Sequence, residues 1–239
     1  MEPIHKKISV EQENINSFSS ELSVKEYSKR YLRAGEEYVI KTYMPSGSRV
    51  LDLGCGAGRT TAYISENGCS VVGADISAPL IKKAKNLYSN IDFKEMDARD
   101  LDFEDGSFDV VFFSFNGIDN LASLEERDKA INEIKRVLKP GGYLIYSSHN
   151  ALAVPRTRTS WKIIFNNLGK LRIGHHWRSE EYDFGKLTQY YNNLWNEKAR
   201  LRALGFKKVE AVGNSAKILK APDLVLAFLD KFPIYIAQK

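Results

Sequence analysis

The chain of 239 residues is organised by a recurring change of hydrophobic period. Between residues 49 and 149, short apolar runs alternate with amphipathic stretches. RVLDLG (49–54) is a brief continuous apolar run and predicts a buried strand. RTTAYISENG (59–68) has helical spacing and stops at Gly68, a suitable helix C-cap. CSVVGAD (69–75) predicts the next strand, followed by the helix APLIKKAKNLY (78–88) with Ser77 at its cap. IDFKEMD (91–97) and SFDVVFFSF (107–115) read as a third and a fourth strand. SLEERDKAINEIKRVL (123–138) predicts an amphipathic helix, and KPGG turns the chain into a fifth strand, YLIYSSH (143–149). Such alternation predicts an α/β, doubly wound parallel sheet with helices on both faces and right-handed crossovers.

The flanks differ. In VKEYSKRYLRAGEEYVIKTY (24–43), Val24, Tyr27, Tyr31, Ala34 and Tyr38 share helical spacing, which predicts one helix ahead of the break at 44–47. After His149 the alternation lapses, and Trp161, Ile164, Phe165, Leu168 and Leu171 fall on one helical face. It resumes with a helix over 196–206, a strand over 207–213, a helix over 221–231 and a terminal strand over 233–239. The expected organisation is an N-terminal helical lid over 1–48 and one domain over 49–239. A second lid is inserted in that domain at about 150–195.

Composition adds bounds. With 43% hydrophobic and 27% charged residues the chain reads as an ordinary globular protein. It has no run approaching ~18 apolar residues, and its N-terminal stretch lacks the apolar centre of a signal peptide. A cytoplasmic location is expected. Cys55 and Cys69 show no metal-binding spacing, and His175-His176 are adjacent, so no metal is expected. Charge is uneven: residues 1–149 hold 19 Lys and Arg against 23 Asp and Glu, whereas residues 150–239 hold 16 against 7. Residues 151–178 carry Arg156, Arg158, Lys162, Lys170, Arg172 and Arg178 without an acid. An anionic partner for the second half, or a solvated basic face, accounts for that excess.

The candidate chemistry begins at VLDLGCGAGR (50–59). Gly54, Gly56 and Gly58 follow a strand and open a helix, where a ligand can approach bare backbone. The dinucleotide fingerprint G-x-G-x-x-G needs a glycine where Arg59 stands. Asp52 ahead of the loop would repel a pyrophosphate and suits a ligand with a cationic amino group. Asp75 ends the second strand, where a carboxylate can accept from ribose hydroxyls, and Ile76 can pack on a base. Asp97, followed by Ala98, can accept from an exocyclic amine. Ser114 and Phe115 end the fourth strand. Each acid also reads as a turn or cap residue, but all fall where a parallel sheet builds its site.

Residues 49–149 resemble the core of the class I S-adenosylmethionine-dependent methyltransferases, of the type 11/25 kind. VLDLGCGAGR resembles their D-x-G-x-G-x-G motif, VVGADIS and MDARDL the second and third motifs, and FDVVFFSF and RVLKPGGYLIY the following strands. The resemblance implies a seven-stranded, mostly parallel sheet with an antiparallel last strand, which PIYIAQK (233–239) fits. It implies S-adenosyl-L-methionine as cofactor. Asp52, Gly54, Cys55 and Gly56 would serve its methionine end, Asp75 and Ile76 the ribose and base, and Asp97, Ala98 and Arg99 the adenine. Carbonyls near Ser114 and Phe115 would hold the amino group. Tyr27, Arg30 and Tyr31 would reach it from the lid.

Methyl transfer needs alignment, and needs a base only where the acceptor must lose a proton. His149, at the end of the fifth strand, and Asp119 are the base candidates. SFNGIDNL (114–121) stands where many nucleic-acid amino-methylating enzymes carry Asn/Asp-Pro-Pro-Tyr. A small, anionic or aromatic acceptor is expected. The alternatives are transfer RNA or another RNA, peripheral contact with an anionic membrane, and a non-catalytic S-adenosylmethionine-binding module.

Overall fold

A computed structural model describes residues 10–153, 175–182 and 185–239. Its spine is a seven-stranded sheet. β1 (Arg49–Leu53) lies inside it, with β2 (Ser70–Asp75) and β3 (Asp92–Glu95) to one side and β4 (Phe108–Phe113) and β5 (Leu138–Ser147) to the other. These five pair in parallel. The chain then leaves the sheet to form a three-stranded one from β6 (His149–Asn150), β7 (His175–Tyr182) and β8 (Gly185–Asn192). It returns with β9 (Lys207–Val212) and β10 (Ile234–Gln238), giving the order β3-β2-β1-β4-β5-β10-β9. β10 runs antiparallel to both neighbours, as the terminal strand was expected to.

Period-2 side-chain alternation explains why both faces are covered. Leu51, Leu53, Val111, Phe113, Leu144, Tyr146, Tyr235 and Ala237 point into one core cluster. The intervening Val50, Val110, Phe112, Ile145, Ile234 and Ile236 point into another. The helices α1 (Val10–Phe18), α2 (Glu21–Tyr27), α3 (Ala34–Tyr43), α4 (Arg59–Glu66), α5 (Ala78–Leu87), α6 (Leu124–Val137), α7 (Leu194–Ala203) and α8 (Asp223–Leu229) surround the sheet. α3 supplies Val39 and Ile40 to the second cluster, and α6 supplies Ile131 and Ile134 to the first. Strand order reverses between β1 and β4, so the crevice expected of such sheets opens beyond their carboxyl ends. No described helix is long and apolar enough to cross a membrane.

Three expectations change. The single helix over 24–43 is two, α2 and α3, separated by residues 28–33. A tertiary contact interrupts it, the Tyr31 carbonyl accepting from Arg59 Nη1 at 2.8 Å, and a local cap starts α3 anew, the Arg33 N–H donating to Glu36 Oε2 at 2.9 Å. The KPGG turn lies within β5, which already begins at Leu138 opposite Phe108 and absorbs the turn as a register shift. Ser77 holds the cap position of α5 without a side-chain cap bond; its hydroxyl lies 3.0 Å from that of Ser19. The apolar face at 161–171 and the basic residues Arg156, Arg158, Lys162, Lys170 and Arg172 lie outside the described residues.

Candidate active site

The glycine loop after β1 has two functions. Gly54, Gly56 and Gly58 all adopt positive φ, at 65°, 56° and 86°. A Cβ on Gly54 would meet Phe113 at 2.5 Å, and one on Gly58 would meet Phe93 at 2.9 Å. Those two glycines let the core close against the loop. A Cβ on Gly56 would meet, among the described residues, only Tyr27 Cβ, at 3.9 Å, because this part of the loop borders a cavity.

Four strand ends line that cavity: Leu53 and Gly54, Asp75 and Ile76, Met96 to Ala98, and Phe113 to Phe115. α1 and α2 supply Asn14, Ile15, Phe18 and Tyr27. Asn14 docks α1: its Oδ1 accepts from Thr188 N at 3.0 Å, and its Nδ2 donates to the Thr188 carbonyl at 2.9 Å. Helix α1 has no counterpart in the sequence reading. Its signal was thin, Ile15 and Phe18 three apart amid polar residues.

The carboxylates differ in environment. Asp75 Oδ2 accepts from Gly56 N and Oδ1 from Ser77 N, both at 2.8 Å. Burial raises its carboxyl against those backbone donors. At Asp97 burial also acts upward, but the Arg99 guanidinium outweighs it and holds the carboxyl below the usual range. Arg99 also pairs with Glu126 at 2.5 Å. Asp52 is fully buried, and burial pushes its pKa up to about 6. Its Oδ2 accepts from Thr60 and Thr61 at 2.8 and 2.6 Å, while Oδ1 has no partner among the described residues.

Other expected site residues stand apart from the cavity lining. Cys55 is buried against Ile81, Ala84 and Phe93, and its thiol is pushed up by burial. Arg30 pairs with Glu66 and stacks on Tyr63, and Tyr31 is 41% exposed. Neither lines the cavity. Tyr27, Arg30 and Tyr31 share a face only if one helix runs through them, and α2 ends at Tyr27. Arg59, the residue that breaks the dinucleotide fingerprint, forms a buried bidentate pair with Glu36 at 2.8 and 2.7 Å. It ties α3 to the glycine loop.

His149 and Asp119, read separately in the sequence, are partners. Asp119 Oδ2 lies 2.7 Å from His149 Nδ1 and also accepts from the His149 N–H at 2.7 Å. Asp119 Oδ1 accepts from Ser148 Oγ at 2.8 Å and Arg127 Nη1 at 2.6 Å. Arg127 Nη2 donates to Glu197 Oε1, also 2.6 Å away. The His149 ring packs on Tyr191 and Phe232, and neither His149 nor Asp119 lines the cavity.

Residues 51–146 match the family described as "Methyltransferase domain". A demethylmenaquinone methyltransferase of Clavibacter sepedonicus is 32% identical over 172 residues, covering 69% of this chain and 68% of that protein. The chain belongs to the class I S-adenosylmethionine-dependent methyltransferases. As a member of that family it is an enzyme whose methyl donor is S-adenosylmethionine. A malonyl-[acyl-carrier protein] O-methyltransferase of Enterobacter lignolyticus is 31% identical over 117 residues, 49% of this chain and 45% of that protein. The methyltransferase also shares its fold with Haemonchus contortus phosphoethanolamine N-methyltransferase 2 in complex with S-adenosyl-L-methionine. That structure has a TM-score of 0.69 at 17% identity, covering 97% of this chain and 60% of that one.

The cavity's features suit this cofactor. Asp52 and Arg99 do not line the cavity; Asp52 lies fully buried behind the loop, and among the described residues its Oδ1 has no partner. A Cβ built on Gly56 would have no neighbour nearer than Tyr27 Cβ, at 3.9 Å, among the described residues.

Proposed function

We propose that this methyltransferase transfers a methyl group from S-adenosylmethionine to a small acceptor, anionic or aromatic, bound next to the cavity. The observation that carries the reading is the cavity itself, where glycine loop, strand-end acids and helical lid line one space. When bound, the cofactor supplies an activated methyl on a sulfonium. Asp52 and the backbone of Gly54, Cys55 and Gly56 hold its amino-acid end. Asp75 and Ile76 take the ribose and base. Asp97, oriented by Arg99, takes the adenine with Ala98, and the carbonyls of Ser114 and Phe115 take the amino group. Tyr27 closes the lid and helps exclude water. Alignment by these groups supplies most of the acceleration.

His149 takes the acceptor's proton at Nε2, with Asp119 holding Nδ1–H. Replacing His149 with Ala should lower turnover about 10²–10⁴-fold with cofactor affinity retained. Turnover near that of the wild type assigns His149 a structural role.

The two named relatives differ in acceptor, so kinship alone does not choose one. The test is a methyl-transfer screen over small carboxylates, phosphates and phenols, run beside filter binding to bulk transfer RNA at two salt concentrations. Turnover with a small acceptor supports the reading. Tight RNA binding with a steep salt slope, and no small acceptor, replaces it with an RNA substrate. Cofactor binding without any transfer leaves a non-catalytic module.

A further inference from the structure

We propose that Arg33 is the recognition group for an oxyanion, a carboxylate or phosphate, on the methyl acceptor. The inference rests on the methyl-transfer reading and names which side chain selects the substrate. Arg33 lies between two rings: its guanidinium carbon is 4.4 Å from the Phe115 centroid and 5.4 Å from that of Phe232. Phe115 lines the cavity beside Gly54 and packs edge-on against Tyr27 at 5.7 Å. Phe232 packs edge-on against His149 at 5.2 Å. Arg33 therefore bridges the cavity wall and the only described histidine that a carboxylate orients.

Among the described residues no carboxylate lies within ion-pair distance of Arg33. Arg59, 4.9 Å over the same Phe115 ring, spends both terminal nitrogens on Glu36. Asp230 feels the Arg33 charge, but its oxygens already accept from Asn214 N at 2.6 Å and Phe232 N at 3.0 Å. Two cations on one ring, one paired with a carboxylate and one not, is the asymmetry expected where one is structural and the other meets a ligand.

The backbone points the same way. Phe115 and Asn116 are consecutive non-glycine residues at positive φ, 56° and 59°. Such a conformation is unfavourable for a side chain and persists where its surroundings enforce it. Here Ser147 Oγ accepts from Asn116 N at 2.9 Å. The strained turn sets the Phe115 ring under Arg33. A stacked guanidinium keeps its charge and its in-plane donors while losing rotamer freedom in advance, so its fork is ready for a two-oxygen anion. The site would take a small acceptor whose oxyanion pairs with Arg33 beside the Phe115 ring.

The test uses the full chain saturated with S-adenosylhomocysteine, titrated calorimetrically with benzoate, phenyl phosphate and the neutral isostere benzamide. At least one anion should bind about ten-fold more tightly than benzamide, and the preferred anion separates carboxylate from phosphate. Arg33→Met should weaken that anion about ten-fold. S-adenosylhomocysteine affinity should stay within about two-fold, which also reports an intact fold. Benzamide binding as well as the anions, neither anion binding, or an Arg33→Met variant that binds the anion unchanged would each overturn the proposal. Failure of S-adenosylhomocysteine to bind strikes the methyl-transfer reading instead, and is seen before any anion is added.

Discussion

Asp52 and Asp119 are both fully buried carboxylates near the carboxyl ends of the central strands, yet their charges are answered differently. Asp119 has a buried cation of its own, Arg127, plus Ser148 and His149 around its two oxygens. Asp52 has two threonine hydroxyls on one oxygen and, among the described residues, nothing on the other. The nearby Arg59 is committed to Glu36. Asp119 belongs to a network in which buried acids and a buried arginine meet within the protein. Asp52 has no cation of its own among the described residues, and under the proposed reading the amino group of the cofactor would be its partner.

The largest effect should come from opening that buried network. Arg127→Met leaves Asp119 and Glu197 buried without their cation, a loss of about 3–5 kcal/mol. For a chain of this size that lowers the thermal midpoint by roughly 10 °C, read by calorimetric melting. A midpoint within a degree or two of the wild type would show that this network does not hold the fold. Asp52→Asn should do the reverse. Stability at neutral pH should be unchanged or higher, because the replacement removes a buried charge. Cofactor affinity should fall about 10- to 100-fold, the equivalent of about 1.5–3 kcal/mol for a charge-assisted bond. Loss of stability with affinity intact would make Asp52 structural.

The smallest effect is in pH. Asp52 is raised to about 6, so cofactor affinity should decline as pH falls through that value and the acid gains a proton. Its contribution to folding has the opposite sign. The native state holds the proton more tightly than the unfolded chain, whose Asp titrates near ~3.9. That stabilisation is fully present below the unfolded value and is lost as pH rises through about 6. Asp52→Asn should flatten both profiles, and an unaltered affinity profile would assign the titration elsewhere.

Much of this was legible in the sequence because parallel sheets place ligands at strand ends. Asp75, Asp97, Ser114 and Phe115 are far apart in sequence and meet around one cavity for that reason. What escaped is what tertiary contacts decide. Tyrosine spacing suggested a helix through Arg30 and Tyr31, but the Arg59 bond to the Tyr31 carbonyl ends that possibility. Two of the three glycines answer to Phe113 and Phe93, which spacing alone cannot reveal. The His149–Asp119 pair joins residues 30 positions apart through hydrogen bonds that leave no periodic trace. Arg33 carries no signal of its own in the sequence; its setting comes from the Phe115 and Phe232 rings, which lie far from it along the chain.

The central claim, that the cavity is a cofactor site built around its strand-end acids, is tested most directly by calorimetric titration of the wild type and Asp75→Ala with S-adenosylmethionine. The account predicts a single site in the wild type. Asp75→Ala should weaken it by about 1.5–3 kcal/mol, the value of a hydrogen bond to a charged group. No heat with the wild type, or equal affinity in the two proteins, would contradict it.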